Sequence, residues 1–322
     1  MKLSIIIVSW NVCEQVCDCL QSIECNAPGC SHEVILIDNA SSDGTVETVQ
    51  RRFPNVALIA NEHNDGFAKA NNEGICRSSG EYILLLNPDT IVHRHSLDPL
   101  IDFMQNNEDI GACGPRLLNE DGTIQASARR FPTLRNTFYF YTIARFFGLF
   151  RGHYKKWRMK DFDHAHQMDV DQVMGAALIV RRTAMEQMDG LDEAFFMYYE
   201  EVDLCYRLKQ AGWRVVFTPT AEITHLGGQS IRQIPAKKRI MSLRSLLTFL
   251  RKHRGRKRML VYMTVFKPGV ILQDAANLLI AIATYLFALL LFDRDKRLEA
   301  ARKIGRTAHW LRKYSWQILF KI

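Results

Sequence analysis

The sequence predicts an α/β chain: a mostly parallel central sheet flanked by helices, followed by a separate helical region at the C-terminus. Two observations carry this. Continuous apolar runs alternate with helix-compatible segments through the N-terminal half. The charge is also divided, since residues 1–231 hold 21 Lys/Arg against 30 Asp/Glu and residues 232–322 hold 21 against 4. An acidic globular part of 1–231 and a basic helical tail of 232–322 are expected.

Leu3–Ser9 (LSIIIVS) is apolar throughout, the pattern of a strand buried on both faces. A helix-compatible segment follows to about Cys25. Val34–Ile37 reads as a second strand, and Ser41-Ser42-Asp43 supplies a helix start. Val56–Ala60 is a third strand, followed by a helix over Phe67–Arg77, and Tyr82–Leu86 is a fourth that ends at Asn87-Pro88-Asp89. Repeated βα units of this kind give a parallel sheet, whose ligands bind beyond the carboxyl ends of the strands. From Arg129 to Lys160 the pattern breaks into aromatics interleaved with cations and no carboxylate, the composition of a lid or a membrane-contacting segment. Strand signal returns at Val173–Val180, a helix at Glu201–Gln210 and a strand at Arg214–Phe217.

In the tail, the apolar stretch Ala275–Phe292 lies between the basic runs at 251–258 and 294–297. It is close to the length of a spanning helix, with Asp274 and Asn277 at its start. Apolar length flanked by cations fits a membrane surface better than nucleic acid, and the membrane-associating segment is placed at about 269–292. The eight cysteines, five of them at 13, 17, 19, 25 and 30, form no C-x-x-C pair, so reduced thiols packed around the first helix are expected rather than a zinc site. Met1-Lys2 leads straight into the first strand with no signal-peptide pattern, so the globular part is expected in the cytoplasm, and with the tail this gives an expected location at the cytoplasmic face of the inner (plasma) membrane.

The strand ends carry the chemistry. Neither G-x-G-x-x-G nor G-x-x-x-x-G-K-[ST] follows the first strand, which argues against a dinucleotide enzyme and a P-loop enzyme. Instead the strands end at Ser9-Trp10-Asn11, Asp38-Asn39, Asn61 and Asn87-Pro88-Asp89. Trp10 is suited to a base or ribose, and Asp38 to accepting from a pyrimidine N–H. Asp89 either caps the next helix or ligates a Mg²⁺ or Mn²⁺ ion shared with a diphosphate. Further on, FFMYYEEVDLCYR sets Glu200, Glu201 and Asp203 at the start of a helix, and Thr224-His225-Leu226-Gly227-Gly228 lies downstream. The helix dipole alone favours acids there. It does not account for the aromatic run before them or for the histidine segment.

Read jointly, SIIIVSWN, VILIDNASSDGT, NDGFAKANNEG, YILLLNPDT, MGAALIVRR, FFMYYEEVDLCYRLKQAGW and THLGG resemble the family 2 glycosyltransferases of GT-A fold, most closely their rhamnosyltransferase-like branch. The resemblance covers roughly the first 230 residues. It implies a nucleotide-sugar donor bound by Ser9, Trp10, Asn11, Asp38, Asn64, Gly66, Asn71 and Asn87. It implies Mg²⁺ or Mn²⁺ at Asp89 and His225, with Asn87 standing where the family's D-x-D motif has its first Asp. The catalytic base falls among Glu200, Glu201 and Asp203, with Glu201 at the matching position. The implied reaction inverts the anomeric centre, with rhamnosyl from dTDP-rhamnose the leading donor and a lipid-linked or polysaccharide acceptor in cell-surface glycan synthesis. Gln229-Ser230-Ile231-Arg232 is followed by Gln233 rather than the Trp of processive members. The rival from another class is a degenerate transferase that only binds nucleotide sugar or carrier lipid. Asn87 and Glu201 favour that rival, whereas Asp89 and His225 argue against it. A nucleotidyltransferase is disfavoured because no Gly-rich basic loop follows the first strand.

Overall fold

All seven residues of β1 (Leu3–Ser9) are buried, because helices cover both faces of the strand. Leu3, Ile5 and Ile7 pack with Val16, Leu20 and Ile23 of α1 (Cys13–Cys25), whereas Ile6 and Val8 pack on the other face with Ala68 and Ala70 of α3 (Phe67–Arg77). This strict alternation is the period-two geometry of a strand. β2 (His32–Asp38), β3 (Ala57–Ala60) and β4 (Tyr82–Leu86) run parallel to β1 in the order β3-β2-β1-β4. Here α1, α2 (Thr45–Arg52) and α3 supply the crossovers. Beyond β4 the order continues β11-β6-β12-β5, with β5 at Thr90–Val92, β6 at Ile110–Leu118, β11 at Ala177–Arg181 and β12 at Arg214–His225. Here β11 runs antiparallel to both neighbours, and β12 is parallel to β6 and antiparallel to β5. The short strands β7 (Ile124–Gln125) and β9 (Met168–Asp169) pair with β6 and β12, and β8 (Ala128–Arg129) pairs with β10 (Gln172–Val173) apart from the main sheet. Helices α4 (Leu97–Gln105), α7 (Arg182–Gln187) and α8 (Glu200–Gln210) complete this part.

The computed structural model describes residues 1–228, 235–291 and 293–320, so the 231/232 boundary, the 229–233 segment and Phe292 lie outside the described residues. Two compact units form, one of Met1–Phe131 with Arg158–Ser245 and one of Pro132–Trp157 with Leu246–Ile322. The aromatic, cation-rich segment therefore groups with the tail. In this second unit α5 (Leu134–Tyr141), a 3₁₀ turn at Ile143–Arg145 and α6 (Arg151–Trp157) accompany α10 (Arg256–Leu290) and α11 (Arg294–Phe320). The division between the units falls within α9 (Pro235–Arg254). α10 packs along α11, and the Tyr262 hydroxyl lies 2.9 Å from that of Thr137. The stretch Lys257–Leu290 is long and apolar enough to cross a membrane.

Three elements differ from the sequence expectation. Val173–Val180 is not one strand, since β10 ends at Val173 and β11 begins at Ala177. The strand expected at Arg214–Phe217 continues to His225, with an irregularity in register between Phe217 and Glu222. Helix α2 starts at Thr45, and the Asp43 side chain accepts from the Thr45 amide at 3.2 Å. Ser41 and Ser42 instead turn back towards the first strand end.

Candidate active site

Parallel register brings the ends of β1 and β2 together, with Ser9 opposite Asp38. Both are buried, and the Ser9 hydroxyl donates to Asp38 Oδ1 at 2.9 Å while the Ser41 amide donates to Oδ2 at 2.8 Å. The Asp38 carboxylate is thus fixed by its own chain, with further lone pairs available for a ligand. Trp10 sits half-buried at the same edge. Asn11 adopts φ 51°, and its Oδ1 accepts from the Ser42 amide at 2.8 Å. Ser9, Trp10, Asn11 and Asp38 therefore form one contiguous edge.

The 64–72 segment divides. Asn64 Oδ1 accepts from the Gly66 amide at 3.1 Å, and Asn39 Nδ2 donates to the Gly66 carbonyl at 3.0 Å. Gly66 has φ 90°, and a Cβ there would lie 2.5 Å from the Phe196 carbonyl oxygen, so no other residue fits without displacement. The next amide, of Phe67, donates to that same carbonyl at 2.6 Å. Asn64 and Gly66 thereby join this strand-end edge to the loop that precedes the acidic helix. Asn71 does not share this placement. It is wholly buried in α3, with Nδ2 donating to the Phe67 carbonyl at 2.8 Å. Asn72, at the end of the same segment, holds the Leu191 amide and carbonyl at 2.9 and 2.8 Å.

Asp89 and His225 meet because β5 pairs antiparallel with the end of β12, Thr90 opposite His225, and the Leu226 amide donates to the Asp89 carbonyl at 2.9 Å. His225 Nε2 lies 3.4 Å from Asp89 Oδ1 and 3.4 Å from Asn87 Nδ2. His225 Nδ1 lies 2.7 Å from Gln125 Oε1. The Gln125 amide nitrogen donates to the His225 carbonyl at 3.1 Å and to Asn119 Oδ1 at 2.9 Å, which fixes the amide with Oε1 facing the ring. In the neutral ring Nδ1 then carries the hydrogen, and the Nε2 lone pair faces Asp89. Two acceptors that close together suit a cation between them. Their separation is below twice the roughly 2.1 Å bond of a Mg²⁺ ion, so one ion reaches both. The donor set therefore fits a hard divalent cation. The pair supplies two donors only, and among the described residues no group of three or more His, Cys, Asp or Glu that could hold a metal ion is formed. Gln125 is invisible in the sequence, because its partner is 100 residues away.

The acidic helix follows a strained entry. Tyr198 and Tyr199 both adopt left-handed φ, 69° and 70°, a conformation that costs a non-glycine residue roughly 1–2 kcal/mol. This aims the first turn of α8 so that Glu200 is buried and Glu201 half-buried, each with Oε2 lacking a hydrogen-bond partner among the described residues. Burial, and then the neighbouring Glu201 charge, hold the Glu200 carboxyl well above the usual range. Burial also raises Glu201, opposed in part by its own backbone amide and by the Arg129 guanidinium. Arg129, on β8, is a second residue missed by sequence reasoning.

Asp203 differs from both. It is fully buried, and its Oδ2 accepts from Arg207 Nε at 2.7 Å. The same guanidinium donates to the Met188 and Gly190 carbonyls at 2.6 and 2.9 Å. Asp203 thus anchors the loop beneath the helix. Asp203→Asn is expected to lower stability by about 3 kcal/mol, as losing one member of a buried pair does, measured by denaturant unfolding. An unchanged midpoint would show that Asp203 has no such role.

The break at 174–176 connects the Asn87–Asp89 segment to the acidic helix. The Asn87 amide donates to the Ala176 carbonyl at 2.9 Å. A Cβ on Gly175 would lie 3.3 Å from Glu201 Cβ, so the Glu201 stem rests directly on this glycine.

The family model described as Glycosyl transferase family 2 matches residues 4–168. An N-acetylglucosaminyl-diphospho-decaprenol L-rhamnosyltransferase of Mycobacterium tuberculosis is 33% identical over 236 residues, 69% of this chain and 76% of that protein. The rhamnosyltransferase WbbL of Escherichia coli K12 is 26% identical over 194 residues, 60% of this chain and 70% of that protein. A mannosyltransferase of Pyrobaculum calidifontis, solved with GDP-Man and Mn²⁺, shares the fold with TM-score 0.55 at 16% identity, covering 99% of this chain and 87% of that one. The match over half the chain, on a GT-A sheet with the site at its strand ends, is decisive: the chain belongs to the family 2 glycosyltransferases.

Proposed function

We propose that this glycosyltransferase moves a rhamnosyl group from dTDP-rhamnose, with inversion, to a lipid-linked glycan acceptor during cell-surface polysaccharide synthesis. The observation that carries the reading is the joining of the Asp89–His225 pair and Glu201 through Gly175 and Ala176. It supports placing a leaving diphosphate and an attacking hydroxyl in one site. Similarity to an enzyme whose name specifies a diphospho-decaprenol acceptor and a rhamnosyl group supports the choice of substrates.

The nucleoside lies against Trp10 and the fixed carboxylate of Asp38. Asp89 and His225 hold Mg²⁺ or Mn²⁺, which when bound offsets the negative charge gained by the departing nucleoside diphosphate. Gln125 keeps His225 in the tautomer with Nε2 unprotonated, as outer partners of metal-binding histidines do. Glu201 accepts the acceptor hydroxyl's proton during attack at the anomeric carbon. Its raised pKa brings its basicity closer to neutral pH. Burial and the neighbouring Glu201 charge hold Glu200 well above the usual carboxylate range, which disfavours two charges side by side. The tail docks this unit at the cytoplasmic face of the inner membrane, where the lipid-linked acceptor lies, through the apolar surface of α10 and the Lys/Arg that flank it.

A panel of nucleotide sugars with Mn²⁺ tests the donor. Release of nucleoside diphosphate is expected from dTDP-rhamnose above all others. Binding without release from any donor would favour a non-catalytic binding module.

A further inference from the structure

The tight turn between the 3₁₀ segment Ile143–Arg145 and α6 exposes four large apolar side chains in succession: Phe146 at 45%, Phe147 at 71%, Leu149 at 53% and Phe150 at 41%. A soluble surface rarely gathers such a patch without a partner. The turn is not a loosely held loop. The amides of Phe146, Phe147, Gly148 and Leu149 donate to carbonyls at 143–145 over 3.0 to 3.2 Å, and the Arg151 amide donates to the Gly148 carbonyl at 3.2 Å. Gly148 supplies the left-handed φ of 67° that closes the turn. Amides bonded within the turn in this way can enter an apolar medium without stranding those donors, a condition for polypeptide in lipid.

Charge identifies the medium. Residues 132–160 contain no Asp or Glu, and Arg145, Arg151, Lys155 and Lys156 flank the apolar tip. Exposed aromatics ringed by cations complement an anionic bilayer, with rings at the acyl boundary and cations at the headgroup phosphates. An acidic protein surface would satisfy the cations, yet it gives no reason for four adjacent exposed apolar side chains. The same compact unit contains α10, whose Leu279, Leu286, Phe287 and Leu290 are also more than half exposed.

We propose that the Phe146–Phe150 turn is a second lipid-contacting element, a wedge that inserts into the interface of an anionic membrane independently of α10. This rests on the membrane-docking reading of the tail, from which the following experiment separates it. The full chain is mixed with phosphatidylglycerol-containing vesicles that carry a carbene-generating lipid, photolysed, and mapped by peptide mass spectrometry. Label is expected on the 146–150 peptide, and it is expected to be lost in Phe147→Ser/Phe150→Ser, where release of nucleoside diphosphate persists. Label on 146–150 but not on 257–291 would support the wedge and overturn tail docking. Label confined to 257–291 would overturn the wedge and leave tail docking in place. Label on neither overturns both. In that last case, protection of 146–150 from hydrogen exchange that grows with protein concentration would assign the turn to contact between copies.

Discussion

Glu201→Gln is expected to lower transfer by about a hundred- to ten-thousandfold, the usual contribution of a general base, while donor binding survives. The substitution keeps the shape of the side chain against Gly175 and removes only its ability to take a proton. Donor binding by calorimetry and turnover by single-time-point transfer separate the two effects. The acid limb of the kcat/KM profile is expected above the ordinary Glu range. Burial raises the Glu201 pKa, the base must be ionised to work, and activity therefore rises with pH through that elevated value. Asp203 is instead held by Arg207, which ties it to the loop below the helix. If Glu201→Gln transfers normally and Glu200→Gln is inactive, the base lies one residue earlier.

Asp89→Ala is expected to reduce turnover at least about a hundredfold, close to 2.7 kcal/mol of transition-state stabilisation, and EDTA is expected to abolish it. Gln125→Leu provides a separate readout at the same centre. It removes the acceptor 2.7 Å from His225 Nδ1, and Mn²⁺ affinity by electron paramagnetic resonance is expected to fall about ten- to a hundredfold, as when other outer partners of metal ligands are lost. Full turnover in EDTA would remove the metal from the account. Unchanged Mn²⁺ affinity in Gln125→Leu would remove only its positioning role.

The parallel half of the sheet was legible because β1, β2 and β4 are nearly continuous apolar runs, a pattern that only strands covered on both faces require. Asp89 and His225 were legible as individual residues through the family motifs. The resemblance assigns them jointly to a metal ion; what was not legible is how the chain brings them together, since that depends on antiparallel pairing of β5 with a strand whose full length the sequence hid. The irregular Phe217–Glu222 stretch interrupts the strand pattern, so the expected strand ends at Phe217. Gln125 and Arg129 were missed for a related reason: each sits on a two-residue strand, too short to give any periodicity. The expected strand Val173–Val180 is interrupted at 174–176, the break on which Glu201 rests. Glycine and alanine there serve close approach rather than pairing, a distinction that apolar patterning does not carry. Asn71, expected from its motif to bind ligand, is a buried helical residue whose Nδ2 donates to the Phe67 carbonyl, a placement that the motif does not show.

The most direct test of the central claim is transfer itself. Full-length protein, Mn²⁺, dTDP-rhamnose labelled in the sugar, and polyprenyl-diphospho-N-acetylglucosamine in vesicles are combined, and label is counted in the organic phase. The account predicts organic-phase label that depends on protein, metal and lipid acceptor together and disappears in Glu201→Gln. Label that stays in the aqueous phase while the same preparation binds the donor, or transfer that is equal in Glu201→Gln, would contradict it.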